Sequence, residues 1–213
     1  MESPVSTQLV ERATGIARQK SADEVERLLA AAESVLARRG YAGLRVDDVL
    51  AGARLSTRAF YRHFRGKSEL FLALFDREML RADERLRAKV AAARGPEAAV
   101  RAWIAATLAL AFDPRLARRT RLFVVERQVV ATEFPDEVER CVQLLLAPLV
   151  EAIAAGREAG VFPGADPGDD ALAIHHLCAG LTTDRLLGVG SMTRAHAVAL
   201  AERFALTTLK GPR

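Results

Sequence analysis

An all-helical fold is predicted for this chain, and three observations predict it. Half of the 213 residues are apolar, with alanine and leucine abundant. Those residues recur at helical spacing, whereas β-branched alternating runs are nearly absent. Glycine and proline gather at a few points, so the helices can be read from their interruptions. The length suits one or two domains with a substantial core.

Residues 1–20 read as a flexible extension carrying Arg12, Arg18 and Lys20. Basic arms of this kind reach DNA in other folds, although a tail without a role is the plainer reading. Ser21-Ala22-Asp23-Glu24 fits a capping box, so the first helix is expected from there to about Arg39, with Gly40 ending it. Val25, Leu28, Leu29, Ala32, Val35 and Leu36 give it a continuous apolar stripe. Next, Val46, Val49, Leu50 and Ala53 stand at i, i+3, i+4 and i+7, the pattern of a short amphipathic helix. Ser56 is positioned to cap a helix opening at Thr57. Two short helices joined by about three residues form a helix-turn-helix.

The segment Ala53 to Lys67, ARLSTRAFYRHFRGK, holds five cations, two phenylalanines, a tyrosine and a histidine without one carboxylate. Arg54, Arg58 and Arg62 recur at i, i+4 and i+8 and share one side of a helix, while Phe60 and Phe64 share another that can be buried. Such a surface is suited to a polyanion. In DNA readers built this way the N-terminal end of the second helix meets base edges, which makes Thr57 and Arg58 the tip. Residues 1–67 carry twelve basic against eight acidic side chains, and the remainder carries 19 of each. The whole net charge of +4 therefore lies in the N-terminal third, as expected of a nucleic-acid module joined to a separate partner domain.

A long fourth helix is expected from Lys67 to about Ala93. Breaks at Gly95-Pro96, Asp113-Pro114, Phe134-Pro135, Gly160 to Gly168 and Gly188 to Ser191 divide the rest, for about nine helices in all. Trp103, Thr107, Leu110 and Phe112 precede a helix on which Leu116, Thr120, Phe123, Arg127 and Val130 align. An arginine on such a stripe either snorkels or pairs with Glu126 or another carboxylate, or it fixes the acidic or polar end of a ligand. The candidate ligand-binding set is Trp103, Thr107, Phe123, Arg127 and His176. Neighbouring His175 and His176, even with Cys178 and His196, lack the same-face i, i+4 spacing of a metal site, so no metal and no cofactor is expected.

Cys141 and Cys178 are far apart in sequence and read as small core residues of a reducing compartment. The last two helices, about Asp169–Leu187 and Thr193–Leu209, offer Ala179, Gly180, Ala197 and Ala201 for close approach. An early glutamate argues against a signal peptide, and the apolar run Trp103 to Phe112 is about half of the ~20 residues a membrane span needs. A cytoplasmic protein without membrane contact is expected. The four histidines show no accompanying catalytic motif, so no enzyme is expected. The alternatives are a sequence-indifferent architectural DNA binder and, behind it, a helical enzyme acting on an anionic substrate.

The stretch from about Ala22 to Phe75 resembles the tetracycline-repressor-like (TetR) bacterial transcription regulators. The resemblance is carried by Gly40-Tyr41, Val46-Asp47-Asp48-Val49, Leu55 to Phe64, and Gly66-Lys67-Ser68-Glu69-Leu70-Phe71. It implies a DNA-binding domain at residues 21–67 and a ligand-binding and dimerisation domain at 68–213. It implies phosphate contacts from Tyr61, His63 and Lys67, base contacts from Thr57 and Arg58, and a ligand pocket among the middle helices. It further implies a homodimer through the last two helices, bound to a palindromic operator on double-stranded DNA and released by a small hydrophobic or amphipathic effector. The DNA-binding set is thus Arg45, Ser56, Thr57, Arg58, Tyr61, Arg62, His63 and Lys67. The chain departs from the family pattern at Arg54, where a glycine often makes the turn, and at Leu44-Arg45, where threonines often precede the second helix.

Overall fold

The computed structural model describes residues 4–211, with side chains from Arg18 onward except those of Arg127 and Val130. The described residues form ten helices and no strand. Two compact units result, residues 1–74 and 75–213, so the division falls after Leu74 inside a helix and not at Lys67.

In the first unit α1 (Pro4–Arg39) is followed by α2 (Val46–Ala53), α3 (Thr57–His63) and the opening of α4 (Lys67–Ala91). The helix start expected at Ser21 is corrected to Pro4: the capping-box spacing lies inside a continuous helix, and the Glu24 side chain is taken up elsewhere. The apolar stripe of α1 is buried as its spacing predicts, with Leu28 and Ala32 fully enclosed and Val35 and Leu36 nearly so. Val49 of α2 and Phe60 of α3 are also fully enclosed. The two short helices thus hang on one long one.

The second unit contains the rest of α4 and α5 (Pro96–Phe112), α6 (Pro114–Val125), α7 (Arg127–Glu133), α8 (Pro135–Glu158), α9 (Pro167–Leu187) and α10 (Arg194–Lys210). The proline breaks act as helix starts, since a missing N–H costs nothing at the first position of a helix. Asp113 caps α6 by accepting from Arg115 and Leu116 N–H at 2.8 and 3.3 Å, and Asp166 caps α9 by accepting from Gly168 and Asp169 at 3.1 Å each. The tenth helix arises because the stretch 114–133 divides at Glu126. Val124-Val125 and Val129-Val130 flank the division, and β-branched runs weaken a helix without any glycine or proline to advertise it.

Helix α5 is apolar almost all round and is the centre of this unit, packing against α6, α8, α9 and α10. Its Trp103, Ile104 and Leu108 are fully enclosed with Leu149 and Ile153 of α8. The Trp103 indole N–H donates to the Leu145 carbonyl at 3.0 Å, three residues before Pro148 inside α8. A proline in a helix interior disturbs the hydrogen-bond ladder just upstream, which leaves a carbonyl there accessible to a side chain.

At Gly156 the fold needs the absence of a side chain. A Cβ there would stand 2.1 Å from Cδ2 of the fully buried Phe162. Gly156→Ala is therefore expected to lower stability by about 1–3 kcal/mol through overpacking, read as a drop in the urea midpoint at unchanged slope. An unchanged midpoint would show that Phe162 is free to move.

Candidate nucleic-acid interface and ligand cavity

Helix α3 is only seven residues long, and its start is fixed by Ser56, whose hydroxyl accepts from the Ala59 N–H at 3.2 Å. Ser56 is thus committed to the cap. Thr57 and Arg58 follow it at the exposed tip, and Tyr61 stands 58 % exposed on the next turn. Arg62 is also outward, with its guanidinium donating to Glu24 Oε2. These four side chains share the solvent side of the helix, while Ala59 and Phe60 hold the other side in the core.

His63 corrects the sequence expectation. Its ring is only 8 % exposed and donates Nε2–H to Glu24 Oε2 at 2.9 Å, so it faces inward and is not presented to a phosphate. Glu24 is itself buried, and a buried carboxylate needs partners. His63 and Arg62 supply them and fasten α3 to α1.

The turn between α2 and α3 shows what replaces the expected glycine. Arg54 adopts φ 53° and ψ 48°, left-handed backbone that costs an ordinary residue about 1–2 kcal/mol. Arg27 of α1 donates to the carbonyls of Ala53 and Arg54, which clamps that turn from outside. Arg45 occupies the N-cap position of α2 with no side-chain cap bond and is exposed. Lys67 opens α4 and holds its Nζ 4.5 Å from the centroid of the Tyr41 ring. A cation at that position adds to the positive end of the helix, a natural anion site.

The second unit holds a partly open cavity of about 180 Å³ whose walls come from α4, α5, α6, α8 and α9. Phe75 and Phe123 meet edge to face at 6.0 Å on one wall, and Trp103 meets the His175 ring at 6.2 Å on another. Of the residues expected to bind a ligand, Trp103, Thr107, Phe123 and His176 are all brought to this cavity. The Arg127 side chain, by contrast, lies outside the described residues. Sequence reasoning missed Thr182 and Cys141, whose lining positions had no signal beyond helical spacing.

Burial, and the nearby Asp76 carboxylate, push the Cys141 thiol up to about 11, and burial alone pushes Cys178 up to about 12. Both are neutral thiols at physiological pH. Just outside the cavity, the buried carboxylate of Glu78 on α4 accepts from Arg119 of α6 at 2.7 Å and from Arg85 at 3.4 Å. This ties two walls of the cavity together.

The outward faces of the last two helices carry Leu172, Leu187 and Phe204, with Val189 just beyond α9, at 40 to 60 % exposure. Ala197 and Ala201, expected to serve close approach to a second chain, are fully buried within this one and let α10 pack closely on its own core. Among the described residues no helix is long and apolar enough to cross a membrane.

Residues 28–74 match the family model described as bacterial regulatory proteins, tetR family. An HTH-type transcriptional repressor of Streptomyces coelicolor is 33 % identical over 147 residues, which cover 68 % of this chain and 71 % of that protein. Among solved structures, the fatty acid degradation regulator FadR from Bacillus halodurans superposes with a TM-score of 0.70 at 21 % identity, covering 88 % of this chain and 96 % of the other. FadR from Bacillus subtilis, solved in complex with stearoyl-CoA, gives 0.64 at 20 % identity over 88 % of this chain and 99 % of that one. The two structural likenesses are likenesses of fold.

The Glu24 cluster generates a pH prediction. The hydrogen bonds from His63 first, and then Arg62, hold the Glu24 carboxyl below the usual carboxylate range. A depressed value in the folded state means that the stabilisation is complete above the ordinary carboxylate range and is lost as pH falls through the depressed value. Glu24→Gln should therefore lower Tm at neutral pH and flatten the decline of Tm below about pH 4.5. Thermal melts from pH 2 to 7 test this, and an acid limb identical to the parent's would remove Glu24 from that role.

Proposed function

The chain belongs to the tetR family of bacterial regulatory proteins, and on that premise we propose a cytoplasmic, homodimeric repressor that reads a palindromic operator and is released by a small, mainly apolar effector. The observation that carries the reading is the capped α3, which presents Thr57 and Arg58 at its tip within the segment matched by the family model. Arg58 reads a base, with a guanine able to take its guanidinium through two hydrogen bonds. Tyr61 and Lys67 hold phosphates and set the register, with Arg45 adding charge at the start of α2. Arg62, although exposed, is shared with Glu24 and serves chiefly to position α3. The repressor activity of the Streptomyces relative supports the direction of regulation.

Exposed Leu172, Leu187, Val189 and Phe204 suit burial against a second copy through α9 and α10. Two-fold symmetry of the protein then matches two-fold symmetry of the operator, with recognition helices about one DNA turn apart. The effector occupies the cavity around Trp103, Thr107 and Phe123. Bacillus subtilis FadR was solved with stearoyl-CoA, but the cavity of about 180 Å³ here is below the roughly 300–1,000 Å³ usual for ligand sites and suits a smaller body. Coupling runs along α4, which opens at Lys67 and contributes Phe75, Met79 and Leu86 to the cavity wall. Linkage makes the effect reciprocal, so saturating operator weakens effector binding by the same factor.

Selection from a randomised duplex library at moderate salt tests operator reading: an enriched palindrome supports it, and retention without enrichment would point to an architectural binder. Against the selected duplex, Arg58→Ala should cost about 1–3 kcal/mol and relax the preference at particular base pairs. Lys67→Ala should weaken binding to every sequence alike and lower the slope of affinity against salt by about one. Equal, sequence-independent losses in both variants would sink the base-reading role of Arg58.

A further inference from the structure

Two polar groups in the cavity wall are not accounted for by an apolar ligand alone. Thr107 of α5 and Thr182 of α9 both line the cavity and are 8 % and 7 % exposed, and neither hydroxyl has a hydrogen-bond partner within the protein. Helical threonines have an easy alternative. Thr120, Thr132 and Thr208 each donate to the carbonyl four residues back, at 3.0, 2.8 and 3.0 Å. Thr107 and Thr182 forgo that bond, although a buried hydroxyl without a partner is destabilising and valine would fill nearly the same volume.

The charge of the wall supplies the second constraint. No lysine, arginine, aspartate or glutamate lines the cavity among the described residues, and the lining thiol of Cys141 is neutral. A carboxylate or phosphate brought here would meet no counter-charge among the described lining residues, and desolvation without one is a severe cost. A hydroxyl both donates and accepts, so the threonines can serve an alcohol, a phenol, a ketone or an ester equally well. His175 and His176, also in the wall, add ring nitrogens able to donate or accept a hydrogen bond.

We propose that the cavity selects an uncharged ligand with a compact apolar body and one or two oxygen groups, which Thr107 and Thr182 hydrogen-bond. This rests on the reading of the cavity as the effector site and specifies its chemistry: the threonines decide which molecules of suitable size are accepted.

Trp103 gives a direct readout, being the sole tryptophan of the chain, fully buried, and part of the wall. Its fluorescence can be followed in the full-length protein at pH 8, where free imidazole is neutral, during titration with 1-octanol and with octanoate. Octanol should bind at least tenfold more tightly than octanoate. Thr107→Val and Thr182→Val should each weaken octanol by about fivefold, the scale of one lost hydrogen bond, while octanoate is unaffected. Both variants should melt no lower than the parent, which separates lost recognition from lost folding.

Octanoate binding as well as octanol, or octanol binding unchanged in both valine variants, would overturn the assignment and leave the cavity as a ligand site of other chemistry. Octanol and octanoate both failing to perturb Trp103 would overturn the assignment and the effector-site reading together.

Discussion

A seven-residue helix cannot sustain itself in water, because nucleation is costly and too few hydrogen bonds follow it. Everything that α3 can do therefore depends on its attachments, and the decisive one is the buried carboxylate of Glu24. That single group accepts from Arg62 and His63 on the last turn of α3, while Ser56 closes the first turn and Phe60 anchors the middle. The three attachments fix the helix at both ends and along its inner side. The backbone that carries the outward Thr57, Arg58 and Tyr61 is thus held in place before any partner arrives, so little backbone entropy is left to lose on binding.

The same logic explains why Arg54 is tolerated at a position where glycine would be unstrained. Left-handed backbone is destabilising for a side-chain-bearing residue, but the Arg27 guanidinium holds both carbonyls of the turn and offsets part of that strain. Arg27 and Glu24 lie one turn apart on α1, so one stretch of the supporting helix fastens the turn and the helix that follows it. Strain at the turn is retained because the surrounding structure determines its shape.

The elements of this module were legible in the sequence because they obey short-range rules. Apolar spacing on α1 and α2, the serine before α3 and the prolines that start α5, α6, α8 and α9 each act within a turn of helix. Direction beyond that range was not legible. His63 has the same sequence neighbours whether it faces a phosphate or a carboxylate, and only the position of Glu24, 39 residues earlier, turns it inward. Ala197 and Ala201 likewise read as small residues suited to any close contact, and α10 uses them on its own core. In the second unit Trp103, Thr107, Phe123 and His176 were found because pocket and core share one periodicity. That periodicity could not separate them from ordinary core residues, and it left Thr182 and Cys141 unmarked.

The cavity is where core and function diverge. The Thr107 and Thr182 hydroxyls in its wall are buried without partners, which is destabilising as long as nothing meets them. A ligand that fills the cavity and meets the hydroxyls removes that cost. Two of the cavity walls, α4 and α6, are joined by the ion pair of buried Glu78 with part-exposed Arg119. Glu78 is also met by Arg85 and Arg81 of its own helix, so Arg119 adds the one link of this cluster that crosses from α6 to α4 among the described contacts. On the proposed reading, that tie lets occupancy of the cavity act on α4, the helix that begins at Lys67.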